Sequence, residues 1–227
     1  MLKAGDEVYI TAVMNLYRYD DSWHDLGGPG MSLYSMYYDA GDRLVYIAGE
    51  SAGSMRIFSS SGGAPAFFLD PACVGVNNPF MYLKKTGNTF YFADNADIVW
   101  IDDSSGLNMV DYDFDLTFPA DNPKAFYVTD DGYSIAVIRN GGSFTTELWV
   151  SKNRAPFQYI QDLSSGNPDM IHPKIMPFGE GKVVIGIRDD MSSNHGAYIY
   201  NYKKNSLSAV KGLTSSDWVS FYTFDVH

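Results

Sequence analysis

Short apolar and aromatic runs alternate with polar turns along the whole chain of 227 residues. Residues 44–47 (LVYI) and 135–138 (IAVI) are typical runs, and the turns before them, residues 39–42 (DAGD) and 130–132 (DDG), each contain a glycine. Short runs rich in β-branched and aromatic side chains favour strands, and Gly/Asp turns between them favour hairpins. The pattern therefore predicts an all-β protein built from short antiparallel strands.

The predicted strands recur with a regular period. Asn-Pro pairs begin at Asn78, Asn122 and Asn167, which are 44 and 45 residues apart, and each pair is followed by four short predicted strands. Four strands in about 45 residues is the spacing of propeller blades rather than of a helical solenoid. The predicted blades are residues 29–77, 78–121, 122–166 and 167–216.

The two ends of the chain predict a fifth blade. Residues 7–28 supply only the last three strands of a unit, and residues 217–224 have the pattern of a lone first strand. Residues 217–227 and 1–28 together give a four-stranded blade, in which the C-terminal strand joins the N-terminal sheet and closes the ring. The sequence thus predicts a single five-bladed β-propeller domain over residues 1–227.

Two turns strengthen this resemblance to the β-propeller superfamily. Residues 19–23 (YDDSW) resemble the turn between the third and fourth strands of a kelch blade. Residues 151–155 (SKNRA) resemble a degenerate Asp-box, with Asn153 in place of the aspartate and Ala155 in place of the glycine. The kelch double glycine does not recur in each blade, so the resemblance implies the superfamily and the five-bladed architecture without a specific family.

Charge and cysteine content narrow the classes of partner. The net charge is −11, from 16 Lys and Arg against 27 Asp and Glu, which argues against nucleic acid and anionic membranes as partners. A single cysteine excludes an intrachain disulfide framework and any zinc site built from cysteines. No signal peptide and no apolar run long enough for a transmembrane segment is visible, so we expect a protein made in the cytoplasm.

The motif with the strongest catalytic resemblance is residues 49–53 (GESAG). It resembles the nucleophile elbow of carboxylesterases, with Ser51 as nucleophile and His195 as a conceivable base. The elbow requires a strand-to-helix turn, whereas residues 55–58 align with predicted strands in other blades. For residues 49–53, a hairpin turn is therefore favoured over the nucleophile elbow of an esterase. The four Glu also offer no opposed pair for a glycosidase, and no cofactor motif is present.

Other side chains have a functional and a structural interpretation. Asp111, Asp113 and Asp115 share one face of a strand, where they favour a solvated edge over a Ca²⁺ site. Trp100 and Trp149 occupy equivalent positions in third strands. Packing between blades is favoured there, and a sugar-stacking platform is the alternative. Trp23 and Trp218 lie near the predicted ring closure, where they could hold the closing strands together.

Polar loop residues form the predicted recognition surface. In a propeller, the connections between blades and the turns between second and third strands emerge on one face, where a rigid scaffold can present binding residues. The candidates on this loop face are Asn77, Asn78, Asn95, Asp97, Asp121, Asn122, Asn140, Asp169, His172, Asp189, Asp190, Asn194 and His195. Asn and Asp also suit turns for backbone reasons alone, and that structural interpretation is favoured for most of them.

These patterns predict a non-catalytic propeller that acts in assembly or recognition of a protein partner. A tail or decoration component of a bacteriophage virion is the more specific form of this hypothesis, because the composition resembles that of such proteins. A glycan-binding lectin is the alternative, and a glycosidase or esterase is the third hypothesis. No cofactor and no nucleic acid partner is expected.

Overall fold

The computed structural model describes most of the chain, and every regular element in the described residues is a β-strand. The described residues are 1–51, 54–69, 82–93, 98–102, 108–112, 122–140, 142–143, 145–165, 173–187 and 196–211. They form five antiparallel sheets of four strands each. The prediction of an all-β chain with a four-stranded repeat is confirmed. Within these residues, no helix has the length and apolarity needed to cross a membrane.

The chain divides into two compact units, and the first, Met1–Tyr112, contains three sheets. Strands follow one another in chain order in each sheet. The first sheet contains β1 (Leu2–Ala4), β2 (Glu7–Ala12), β3 (Asn15–Tyr19) and β4 (Trp23–Asp25); the second contains β5 (Ser32–Asp39), β6 (Leu44–Ser51), β7 (Ser54–Ser60) and β8 (Ala66–Leu69); the third contains β9 (Tyr82–Thr86), β10 (Thr89–Ala93), β11 (Ile98–Asp102) and β12 (Asn108–Tyr112).

The second unit, Asp113–His227, contains two sheets with the same internal order. The first of them contains β13 (Asn122–Val128), β14 (Tyr133–Asn140), β15 (Thr145–Lys152) and β16 (Gln158–Ser165); the other contains β17 (Lys174–Pro177), β18 (Lys182–Ile187), β19 (Gly196–Asn201) and β20 (Ser206–Ala209). Each of the five sheets lies inside one of the predicted repeat units.

The core of the first unit lies on both faces of the second sheet. Along β6, Val45 and Ile47 belong to a buried cluster shared with the first sheet, where Leu16 is fully buried. The alternate residues Tyr46 and Ala48 belong to a cluster with Leu83 and Phe90 of the third sheet. Because side chains alternate between the faces of a strand, β6 is apolar at every position from Val45 to Ala48, as a strand covered on both faces must be.

The core of the second unit joins its two sheets. Ile135, Val137 and Leu148 are fully buried, and they cluster with Val183 and Ile185 of β18. Their period-two spacing places them on one face of β14 and β15, towards β17–β20. The opposite face of β15, which carries Glu147 and Trp149, is therefore separate from this apolar cluster.

The N-terminal sheet corrects one detail of the sequence analysis. Residues 7–28 were expected to supply three strands and to receive the fourth from the C-terminal tail, but β1 already pairs with β2 through Leu2↔Tyr9, Lys3↔Val8 and Ala4↔Glu7. The two-residue turn between β1 and β2 begins with Gly5, whose φ is 64°. A Gly-Asp turn is a hairpin signal, and the brevity of β1 concealed it. Residues 217–224 lie outside the described residues, so closure of a ring by this segment stays a prediction.

A close backbone approach after β4 requires a glycine at position 28. A Cβ on Gly28 would lie 1.6 Å from the carbonyl oxygen of Met14. Gly28→Ala is therefore expected to cost about 2 kcal/mol of unfolding free energy, because the backbone must move to make room. Gly63→Ala is the matched control, since nothing lies within 4 Å of its Cβ position. Urea unfolding followed by tryptophan fluorescence measures both, and an equal effect of the two substitutions would contradict the prediction.

Candidate functional site

The structure describes only two members of the predicted loop face. Asn122 begins β13 and Asn140 ends β14. The candidates outside the described residues are Asn77, Asn78, Asn95, Asp97, Asp121, Asp169, His172, Asp189, Asp190, Asn194 and His195. Asn140 is thus the loop-face residue from which a site can be built.

The Asn140 side chain organises the turn between β14 and β15. Its Oδ1 accepts hydrogen bonds from the backbone N–H groups of Gly142 (3.0 Å) and Ser143 (2.9 Å), which is the turn chemistry expected of asparagine. Its Nδ2 donates to Oε1 of Glu147 at 2.8 Å. The amide therefore links the turn to a carboxylate on the next strand.

Glu147 is the centre of a polar cluster on one face of β15. It is only 6 % exposed. In addition to Asn140, Oγ1 of Thr145 donates to its Oε1 (3.0 Å) and Nε1 of Trp149 donates to its Oε2 (2.8 Å). A buried carboxylate is tolerated when donors satisfy it, and here the alternation along β15 places two of the three donors on the same face. We call Asn140, Thr145, Glu147, Trp149 and Tyr159 the Glu147 cluster.

The Glu147 cluster ends in an aromatic pair at the edge of the sheet. Trp149 is half-buried and lies directly opposite Tyr159 in the β15–β16 register. The rings meet edge to face, with centroids 5.4 Å apart and an interplanar angle of 70°. Tyr159 is 48 % exposed, and its hydroxyl donates to Oδ1 of Asp162 at 3.0 Å. An exposed aromatic ring that hydrogen-bonds a carboxylate is thus present at this end of the Glu147 cluster.

Aromatic pairs occupy the same place in two further sheets. Tyr19 of β3 faces Trp23 of β4, with centroids 5.2 Å apart, and Phe58 of β7 faces Phe67 of β8, with centroids 6.4 Å apart. In each pair the residue on the fourth strand is exposed, 56 % for Trp23 and 59 % for Phe67. The second member supports the exposed ring from the third strand.

The loop between Tyr19 and Trp23 is acidic. Asp20 accepts from Arg18 (2.9 Å) and lies 2.6 Å from Nε2 of His24. The loop is the turn between the third and fourth strands of its sheet, as its resemblance to a kelch turn predicted. The Asp-box-like residues 151–155 lie at the corresponding turn between β15 and β16.

A second ionic cluster links the second and third sheets. The side chain of Lys85 on β9 is 9 % exposed. Its Nζ contacts Asp42 on the β5–β6 turn and lies 3.3 Å from Asp39, the last residue of β5. Tyr46 donates from its hydroxyl to Asp42 at 2.9 Å. The hydrogen bonds from Lys85 and Tyr46 hold the pKa of Asp42 below its usual value. Burial and the bond to Asp42 raise the pKa of Tyr46 to about 12.

The pKa of Lys85 is raised above its usual value. Burial of the ammonium group acts in the opposite direction, but the hydrogen bonds to Asp42 and Asp39 outweigh it. These shifts move the pKa values of Asp42, Tyr46 and Lys85 away from neutral pH, so their protonation states are fixed there. The cluster is therefore suited to fastening two sheets together rather than to proton transfer.

The serine of the elbow-like motif lies in a hairpin. Ser51 ends β6, Ser54 begins β7, and the two residues are register partners in an antiparallel pair. A nucleophile elbow needs a helix after the serine, so the favoured hairpin interpretation is confirmed. Ala52 and Gly53 of the motif lie outside the described residues, as does His195.

The remaining sequence candidates are only partly described. Asp111 lies in β12, which is an edge strand of its sheet, whereas Asp113 and Asp115 lie outside the described residues. Within the described part of the chain, no group of three or more His, Cys, Asp or Glu is placed to hold a metal ion. Trp100 lies in β11, and Trp218 lies outside the described residues. The pairing of Trp23 with Trp218 thus stays a prediction, and the described ring contact of Trp23 is with Tyr19.

Sequence reasoning missed Glu147, Tyr159 and Lys85. The first of these had a visible signal, because Thr145, Glu147 and Trp149 alternate along one predicted strand and must share a face. The contact of Lys85 with Asp42 spans 43 positions, and no local pattern encodes it.

Comparisons with known proteins identify the fold. No family model matches the chain, and no curated protein has a significantly similar sequence. Among solved structures, an oligogalacturonate lyase in complex with manganese is similar with a TM-score of 0.61 and 12 % identity, covering 89 % of this chain and 61 % of that one. The GH74 enzyme of Niastella koreensis has a TM-score of 0.61 and 13 % identity, covering 90 % and 35 %. A nidogen/laminin complex has a TM-score of 0.54 and 12 % identity, covering 88 % and 90 %.

These neighbours are propeller-type folds. The chain therefore has a propeller-like fold, all-β with several four-stranded antiparallel sheets. It spans about three fifths of the lyase chain and about a third of the GH74 chain. At 12 to 13 % identity the similarity concerns the fold alone.

Proposed function

We propose that this protein is a non-catalytic β-propeller that recognises a protein partner through aromatic side chains on the fourth strands of its sheets. The observation that carries the proposal is the repetition of one arrangement in three sheets. Trp23, Phe67 and Tyr159 each expose about half of their surface, and each is supported by a ring on the neighbouring third strand.

Supported exposed rings suit protein recognition for two reasons. Trp and Tyr are enriched among the residues that dominate binding energy at protein interfaces. A ring already held by its neighbour loses little further conformational freedom when a partner covers it. The arrangement therefore favours binding over chemistry at these positions.

The Glu147 cluster supports the non-catalytic part of the proposal. Both carboxylate oxygens of Glu147 are engaged by donors of the same chain. A general acid or base must have an oxygen available to the proton that it transfers. Glu147 thus acts as an anchor that orients the Trp149 indole.

A more specific version of the proposal concerns the assembly to which the protein belongs. We propose that the five sheets form a five-bladed ring and that the molecule serves in a larger particle, such as a bacteriophage tail or virion surface. Closure of that ring by a C-terminal strand belongs to the same proposal. Recovery of the chain from purified virions tests the particle assignment, and its consistent absence from them would exclude it.

Photo-crosslinking tests recognition directly. A benzophenone amino acid is placed at position 23, 67 or 159, and at the exposed strand positions Lys182 and Ser206 as controls. We expect one and the same partner to be cross-linked from at least two of the three aromatic positions and from neither control. The partner, once purified, should bind the wild-type chain and bind a Trp23→Ala or Phe67→Ala variant more weakly. Equal adducts at all five positions, or none, would overturn the proposal.

A lectin is the second candidate, and the Glu147 cluster is what favours it. Sugars stack on exposed aromatic rings next to carboxylates and amides, and the exposed Tyr159 at the end of this cluster hydrogen-bonds Asp162. A glycan array with wild-type and Tyr159→Ala protein discriminates the two functions. If the wild-type protein binds no glycan on the array, the result agrees with protein recognition. Specific glycan binding that Tyr159→Ala abolishes would make the lectin the better assignment.

A further inference from the structure

The β3–β4 hairpin carries an exposed aromatic pair and an acidic loop at one point of the surface. Tyr19 and Trp23 are register partners, and the three-residue loop Asp20-Asp21-Ser22 connects them. Asp25 follows at the end of β4. We call residues 19–25 the acidic aromatic tip. All of its side chains except that of Asp20 are exposed.

Contacts within the first sheet, and one to the second, fix the geometry of the acidic aromatic tip. The Asp20 N–H donates to the carbonyl oxygen of Ser22 at 3.2 Å, and Asp21 has a φ of 74°. Arg18 and His24 both contact the Asp20 carboxylate. Arg18 is held in turn by Glu7 (3.5 Å) and by the carbonyl oxygen of Gly62 (3.1 Å). Asp20 is therefore a structural member of the tip.

Two other carboxylates of the tip have no cation beside them in the part of the chain that the structure describes. Asp25 accepts from Nδ2 of Asn15 (3.2 Å) and from the N–H of Gly27 (2.8 Å), which are both neutral donors. Asp21 is exposed at the apex of the loop. Two acidic residues without a cation partner among the described residues thus lie two positions before and two positions after Trp23, which is 56 % exposed.

We propose that the acidic aromatic tip binds an arginine or lysine side chain of the protein partner. This inference rests on the proposed recognition function and names the chemistry of the partner. A cation is attracted to the face of an indole ring, and a guanidinium also stacks on it. Carboxylates beside the ring add direct ion pairing. Trp23 supplies the stacking surface, while Asp21 and Asp25 supply the charge.

Charge also selects against other occupants of the tip. A second copy of this chain, with a net charge of −11, would bring like charge to the tip, and nucleic acid would do the same. A neutral glycan would leave Asp21 and Asp25 without compensation. Phe67 offers a matched contrast, because its exposed ring lies in a stretch, residues 61–69, that contains no acidic residue.

A peptide titration tests the proposed chemistry. The probe is acetyl-Gly-Arg-Gly-Arg-Gly-amide, followed by tryptophan fluorescence and by chemical-shift changes in the protein. We expect Trp23→Ala to weaken binding at least about tenfold, and Asp21→Asn or Asp25→Asn to weaken it about two- to fivefold each, as expected for a cation–π contact and solvent-exposed ion pairs. Tyr34→Ala, which removes an exposed ring outside the proposed recognition residues, should leave the affinity unchanged. Citrulline in place of arginine, which removes the charge and keeps the shape, should abolish binding.

The outcomes separate this inference from the recognition function. Equal binding of the arginine and citrulline peptides, or unchanged affinity in Trp23→Ala, overturns the cation assignment. If cross-linking from position 23 still captures the partner in that case, recognition stands and only its chemistry is wrong. If no aromatic position cross-links a partner, the recognition function fails whatever the peptide does. Concentration-dependent dimerisation that Trp23→Ala abolishes would assign the tip to a second copy and overturn the inference.

Discussion

Glu147→Ala is expected to lower the free energy of unfolding by about 3 kcal/mol, a fall of roughly 6–12 °C in the unfolding midpoint for a chain of this size. The substitution removes the acceptor of three hydrogen bonds, from Asn140, Thr145 and Trp149. The indole N–H then loses its partner while the ring stays packed on Tyr159. Differential scanning calorimetry measures the midpoint, and the near-ultraviolet circular dichroism of tryptophan reports the lost anchor.

Two variants show whether hydrogen bonding causes this loss. Glu147→Gln keeps one acceptor oxygen for Asn140 and Thr145 but turns an amide N–H group towards the Trp149 indole, so an intermediate loss is expected. Glu180→Ala is the control, because Glu180 is almost fully exposed and surface substitutions change stability little. A glutamine variant as stable as the wild type would show that the three bonds do not determine the effect.

Lys85→Met is expected to lower the free energy of unfolding by about 2 kcal/mol. Methionine keeps the apolar stem packed near Tyr46 and Phe90 but leaves the carboxylates of the β5–β6 turn without their cation. Removing one partner of a buried ion pair costs about 3–5 kcal/mol. The loss here is smaller because Asp42 is partly exposed and water can reach it. Chemical unfolding at neutral pH measures the difference.

The pH dependence of the Lys85 variant has a defined sign. The pKa of Asp42 lies below its usual value of 3.8 because Lys85 and Tyr46 hydrogen-bond to the charged form. The folded state thus binds the proton more weakly than the unfolded state, so the stabilisation is complete above that usual value and is lost as the pH falls through the folded pKa. The difference between wild type and Lys85→Met should shrink below about pH 4. A constant difference down to pH 2 would contradict this origin.

Lys203→Met is the matched control for Lys85→Met. Lys203 also joins two acidic residues near turns, with Nζ 3.6 Å from Asp131 and 3.2 Å from Glu180, but all three side chains are substantially exposed. Exposed ion pairs contribute little because water screens them. We expect no resolvable change in the unfolding midpoint, and a loss equal to that of Lys85→Met would show that burial does not govern these clusters.

The sequence predicted strands and turns well because their signals are local. The Asp39–Asp42 turn and the strand after it follow from glycine chemistry and from β-branched runs, and β6 begins at Leu44, the first residue of the predicted run 44–47. β1 was missed because three residues are too short to show alternation. The Lys85 cluster was not predictable, because nothing near Lys85 in sequence shows that Asp39 and Asp42 of another sheet will surround it. Glu147 was predictable in position, but its donors required the register across the Asn140 turn.

Pairing only between consecutive strands has a consequence for how the chain folds. Each described sheet is made from strands that follow one another along the chain, and β1 to β4 of the first sheet lie within residues 2–25. Local pairings of this kind close short loops, whose entropic cost is small, and they favour fast folding. The sheets can therefore form one after another as the chain leaves the ribosome, with each new strand of a sheet pairing with the strand just before it.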